Sequence, residues 1–223
     1  MSAVAHIKRY KSGEFFKDGF RGDLSWNGYE RKVLMRNEGI GANGVPRFSE
    51  VAMATGCDDV KDGRGMAVAD FDNDGALDLI VNNNPGDCGC DAAPATLLRN
   101  NVGAKRSWLA VELVGVTCNR DAVGAEVLAE IDPAACAGRP HLAKQLRLVS
   151  AGCSYASQHS SRLYFGLDDL THVDRLTVRW PGGGEETFAD VPARRLVRIT
   201  QGRGIEVTNL PAKRPAKHSD GGQ

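Results

Sequence analysis

The sequence predicts an all-β protein, and three observations carry that reading. Glycine is frequent, at 26 of 223 residues, within an otherwise globular composition of 42% hydrophobic residues. Short runs of alternating apolar and polar residues recur from Trp108 onward. Turn-forming residues separate those runs, and no long stretch carries a helical period. Many short alternating segments bounded by Gly, Pro, Asn and Asp are the pattern of a β-sandwich.

The runs can be read in order. Trp108–Val114 and Gly124–Ile131 alternate, and Leu146–Val149, Leu163–Phe165, Val173–Trp180 and Leu196–Ile199 follow. Turns fall at Asn119–Asp121, Asp132–Pro133, Gly138–Pro140 and Pro181–Gly184. A sandwich is therefore expected over residues 106–203. Residues 204–223 carry Pro, Lys, Gly and Ser with little apolar matter, and are expected to form a disordered tail.

The first half is organised differently. Residues 1–27 are polar and weakly patterned. They contain Arg21-Gly22-Asp23, a tripeptide familiar from integrin ligands but too short to carry a function by itself. Over residues 28–105 an internal repeat emerges. Val33-Leu34-Met35-Arg36-Asn37 matches Thr96-Leu97-Leu98-Arg99-Asn100 at a spacing of 63 residues. Repeats of this size point to propeller blades. A propeller needs about four to eight blades, and the chain before Trp108 has room for about one or two. A partial propeller-type repeat packed on the C-terminal sandwich is the expected arrangement, with oligomerisation as another way to cover the blade.

Between the two repeat copies lies the most informative stretch, Asp70-Phe-Asp-Asn-Asp-Gly-Ala-Leu-Asp78. Side-chain oxygens stand at positions 1, 3, 5 and 9, and Gly75 at position 6 permits a tight turn. Hard divalent cations such as Ca2+ take about six to eight oxygen ligands. Asp70, Asp72, Asp74 and Asp78 would supply carboxylates, and Ala76 a backbone carbonyl. The loop is not an EF-hand, because position 12 is Val81 rather than a bidentate Glu. The flanks, Gly65–Ala69 and Leu77–Asn82, are short and largely apolar, as strands are. A cation loop joining two strands resembles the FG-GAP repeat (VCBS-type repeats are similar) of integrin-type β-propellers.

Charge and cysteine content exclude other classes. Lys plus Arg and Asp plus Glu both number 28, so no global field favours nucleic acid or an acidic membrane. No stretch reaches the roughly 18 apolar residues of a membrane span. Met1–Gly22 is too polar for a signal peptide. Six cysteines lack the paired spacing of a structural zinc site. Cys88 and Cys90 would enter disulfides in an exported protein and stay thiols in a cytosolic one.

Four segments of the second half resemble the ASPIC/UnbV domain, which follows FG-GAP-type repeats in the cartilage acidic protein 1-like family. They are Asn119–Ala125, Ser150–Gln158, Leu163–Leu167, and Val178–Gly182 with Val191–Ala193. Ile131–Leu142, carrying Cys136, stands as an insertion against that pattern, and Ser154 and Asp168 replace glycines. The resemblance implies a calcium-dependent interaction protein located outside the cell or at its envelope. It names no reaction.

Catalytic candidates are Ser157 and His159, with Tyr155 and Asp168 nearby in sequence. No G-x-S-x-G elbow is present, and the other histidines are scattered. Trp108 and Trp180 are read as core aromatics. The leading expectation is a calcium-binding module that contacts a protein or a glycan. The alternative is an enzyme or accessory factor acting on a small molecule in a biosynthetic pathway, with the Ser157–His159 region as its site.

Overall fold

The computed structural model describes residues 31–61, 63–83 and 94–210. The N-terminal segment with its Arg21-Gly22-Asp23 tripeptide, Cys88 and Cys90, and residues 211–223 lie outside them. The described residues form the all-β fold expected from the sequence, with strands organised in several sheets. The chain packs as two compact units. One takes the described residues through Met66, Ile80–Leu98 and Ser154–Ser157; the other takes Ala67–Leu79, Arg99–Cys153 and the described residues from Gln158.

Strands β1 (Met35–Ile40) and β2 (Pro46–Glu50) form an antiparallel pair, with an irregularity between Asn37 and Ile40 where Gly39 takes φ 84°. A one-turn helix, α1 (Ala52–Thr55), follows and is closed by Gly56 in the left-handed conformation. Strands β3 (Gly63–Ala69), β4 (Asp78–Asn83) and β5 (Thr96–Leu98) form a three-stranded sheet in that order. Within the first unit, polar groups are matched at depth. Asn83 is buried and donates Nδ2 to the Pro94 carbonyl at 2.8 Å and to Thr96 Oγ1 at 2.9 Å. Thr96 in turn donates its hydroxyl to Asp59 Oδ2 at 2.8 Å. Asp59 also pairs with Lys32 at 3.4 Å and accepts the Lys61 N–H. Its carboxyl is lowered to about 2: burial pushes it up, and the hydrogen bonds from Lys61 and Thr96 with the two lysine charges outweigh that.

The second unit is a two-sheet sandwich. One sheet orders β11-β10-β7-β8, from β7 (Glu126–Glu130), β8 (Lys144–Leu148), β10 (His172–Arg179) and β11 (Glu185–Pro192). The other orders β13-β12-β6-β9, from β6 (Ser107–Val114), β9 (Leu163–Asp168), β12 (Arg195–Thr200) and β13 (Gly204–Thr208). All pairs are antiparallel except β12 with β6. Inward residues of both sheets, among them Leu109, Val127, Phe165, Leu176, Val197 and Ile199, make one buried cluster. Each such large side chain contributes about 1.5–3 kcal/mol on burial.

Two elements differ from the sequence expectation. Gly204–Thr208, assigned to the tail on composition, forms β13 and pairs residue for residue with β12, from Leu196↔Thr208 to Thr200↔Gly204. A strand this short gains its stability from its partner rather than from its own pattern. Glu185–Pro192, not read as a strand, forms β11 against β10. The segment Ile131–Leu142, expected to stand as an insertion, is integral to the fold: Cys136, and Leu142 in α2 (Pro140–Ala143), join the core. Among the described residues, Cys57, Cys118 and Cys136 carry thiols outside any disulfide. No described helix is long and apolar enough to cross a membrane.

Candidate metal centre

The acidic stretch forms the loop between β3 and β4, as its short apolar flanks predict, and falls in the second unit. Its backbone turns because Asn73 and Gly75 both adopt positive φ, 55° and 90°. Asn and Gly are the residues that tolerate that region best. The turn folds the carboxylates inward. One oxygen from each of Asp70, Asp72 and Asp78 lies within 4.8 Å of the others. Asp78 is only 2% exposed, and Asp70 and Asp72 are half-buried.

Backbone N–H groups hold this arrangement. Asp70 accepts Asp74 N–H at 3.0 Å and Gly75 N–H at 2.9 Å. Asp78 accepts Phe71 N–H at 3.2 Å and Asn100 N–H at 2.8 Å. Asp74 is placed differently. Its Oδ1 accepts Ala76 N–H at 2.9 Å, and its Oδ2 lies 3.4 Å from Arg99 Nη2. Ala76 is buried beneath the turn. The convergent set is thus Asp70, Asp72 and Asp78, with Asp74 at its margin.

Residues outside the acidic motif complete the site. Arg99 Nη2 pairs with Asp72 Oδ2 at 2.6 Å. The Asn100 side chain accepts the Val102 and Gly103 N–H groups, at 3.1 and 2.9 Å, which fixes the backbone that reaches Asp78. The Arg-Asn pair of the internal repeat therefore serves the acidic loop, a role its recurrence marked without explaining. From β9, Tyr164 donates its hydroxyl to Asp70 Oδ2 at 3.0 Å. Its phenol is pushed up, mainly by burial, with the neighbouring Asp70 charge adding to that against Arg162. Arg162 Nη1 reaches Asn73 Oδ1 at 3.1 Å. Nothing local in sequence connects Arg162 or Tyr164 to this loop.

The donor set fits a hard divalent cation: three carboxylates, no nitrogen or sulfur ligand, and a turn already closed by hydrogen bonds. Those same residues would hold it.

The catalytic candidates sit in other surroundings. Ser157 donates its hydroxyl to the Tyr155 carbonyl at 2.7 Å and accepts Met66 N–H at 2.9 Å, within the first unit. His159 accepts Val68 N–H on Nδ1 at 3.2 Å, and Ser160 N–H meets the Val68 carbonyl at 3.0 Å, within the second. Asp168 pairs with Arg106 at 2.6 Å and Arg139 at 2.5 Å. Tyr155 is exposed. Each candidate with a described partner is thus engaged in hydrogen bonds or ion pairs that shape the backbone or link strands.

Residues 115–206 match the family model described as ASPIC and UnbV. The match covers most of the sandwich and runs into β13. The chain is also similar to cartilage acidic protein 1 of Xenopus tropicalis, with 31% identity over 124 residues, or 55% of this chain and 17% of that protein. The mouse and human proteins of the same name are 28% identical over 143 residues, 63% of this chain and 20% and 19% of theirs. The chain thus spans about a fifth of the length of these relatives, or less. The likeness to ASPIC and UnbV thus lies in residues 115–206.

Proposed function

We propose that the chain is a calcium-binding interaction module of the ASPIC/UnbV type, with its cation held in an FG-GAP-like loop and its partner a protein or a glycan. The convergence of Asp70, Asp72 and Asp78 carries the reading. Three carboxylates brought this close repel one another, and a bound divalent cation turns that repulsion into attraction. The likeness to cartilage acidic protein 1 supports an interaction role outside the cell or at its envelope.

Thermal melting of the full chain in calcium and in chelator tests this. Binding to the native state alone should stabilise by about 2.7 kcal/mol at a hundredfold excess over the dissociation constant. Magnesium should give a smaller shift, since it demands tighter octahedral geometry. Asp72→Ala should remove the calcium response. A wild-type melt identical in calcium and chelator would rule the cation out.

A further inference from the structure

The outer face of the sheet containing β6, β9 and β12 carries a continuous line of charged and polar groups. It begins at the acidic loop, where Asp70 accepts the Tyr164 hydroxyl. Arg162 Nη1 donates to that hydroxyl at 3.2 Å, while its Nε and Nη2 donate to Glu112 Oε1 at 2.9 and 2.7 Å. The second Glu112 oxygen accepts Arg198 Nη2 at 2.9 Å. Arg198 then lines a cavity of about 510 Å³ together with Arg120, Arg203, Ser161, Thr200 and Val114.

We propose that this cavity binds an acidic saccharide through its carboxylate or sulfate group. The site names a ligand class for the interaction role above and rests on that reading, but it uses none of the acidic-loop residues. Three guanidinium groups line the space, and a guanidinium fork can engage two oxygens of a carboxylate or a tetrahedral sulfate with two parallel hydrogen bonds. The acids at the rim are Glu112 and Asp121. Glu112 is neutralised from its far side by Arg162, so positive charge is left in excess. The side chains of Arg120 and Arg203 make no hydrogen bond or ion pair with any other described residue. Both are exposed and available to a ligand. Arg198 is held in place by Glu112, which reduces the ordering cost of binding. The hydroxyls of Ser161 and Thr200 suit a hydroxylated ligand, and Leu113 and Val114 supply apolar wall. The volume lies within the range of about 300–1,000 Å³ usual for small-ligand sites.

The test is titration of the full chain with sodium glucuronate, glucose 6-sulfate, glucose and a hexaglutamate peptide, followed by NMR on the arginine Nε–H signals and by calorimetry. The two acidic sugars should shift the signals of Arg120, Arg198 and Arg203, and glucose should not. Arg120→Ala and Arg203→Ala should each weaken binding at least about tenfold, the loss expected for one charge-assisted contact. Both residues lack structural partners, so both variants should melt as the wild type does. Equal binding of glucose, or unchanged affinity in both variants, would overturn the site. Hexaglutamate binding as tightly as the sugars would overturn the saccharide class in favour of an acidic peptide. Absence of acidic-sugar binding in a protein whose melting still responds to calcium would sink this assignment alone.

Discussion

Gly75 of the acidic loop lies directly against the indole of Trp108 on β6: a β-carbon at position 75 would overlap Trp108 Nε1 and Cε2. Glycine is required there twice over, by its φ of 90° and by the ring beneath it. The half-buried Trp108 packs on a small cluster of Ala110, Tyr164 and Leu196, so the loop seats on the sheet through an aromatic side chain.

Gly75→Ala should therefore destabilise the chain by about 2–4 kcal/mol, combining the left-handed backbone penalty with overpacking. Chemical denaturation measures it. In a double-mutant cycle with Trp108→Ala, the packing part of the cost should vanish and the backbone part remain. Fully additive losses would show that the two residues do not interact.

Asp78→Asn should cost about 1–3 kcal/mol even in chelator. The carboxylate accepts N–H groups on both oxygens, and an amide leaves one buried donor facing another. Asp72→Ala should cost less without calcium. Comparing the two melts in chelator separates the folding role of Asp78 from cation binding.

Acid should loosen the line of groups on the outer sheet face. Burial pushes the Glu112 carboxyl up, but hydrogen bonds from Arg162 and Arg198 hold it below the usual value. A carboxyl lowered in the folded state contributes stability that is present above its unfolded value of about 4.3 and lost as pH falls through the lower folded one. Asp59, lowered to about 2, adds the same sign. Denaturation midpoints should thus fall below about pH 4, and Glu112→Gln should flatten part of that fall. A variant with the wild-type acid limb would remove Glu112 as a contributor.

Arg147 closes one side of the sandwich, where β8 and β9 are edges of different sheets. Its Nε donates to the Tyr164 carbonyl at 3.0 Å, and its guanidinium lies 5.3 Å from the centre of the Phe165 ring. Gln145 Nε2 likewise donates to the Gly166 carbonyl at 2.8 Å. Side chains replace backbone ladder bonds along this seam. Arg147→Ala should lose about 1–3 kcal/mol by orphaning the carbonyl and removing the packed stem. Hydrogen exchange should rise at β8 and β9 before the rest of the core. Uniform exchange across all strands would contradict this seam.

Local pattern in the sequence determined a great deal. Period-two alternation marked β6, β7 and β10, because inward residues such as Leu109, Val111, Val127, Leu176 and Val178 join the core while Glu112, Glu126, Glu130 and Arg179 stand at less buried positions. The Asp-x-Asp-x-Asp-Gly spacing marked the tight turn, because Asn73 and Gly75 tolerate positive φ where other residues resist it. The recurrence of Arg36-Asn37 at Arg99-Asn100 marked residues that the acidic loop uses. Tertiary structure decided the rest. Gly204–Thr208 is a strand only because β12 offers it a ladder; its own composition reads as tail. Leu146 and Leu148 are exposed despite their apolar side chains, and Arg147 between them reaches the Tyr164 carbonyl and the Phe165 ring of β9. Tyr164 and Arg162 reach the acidic loop across more than eighty positions of chain. Such pairings depend on how sheets stack, and stacking is a property of the whole core, which no short stretch of sequence contains.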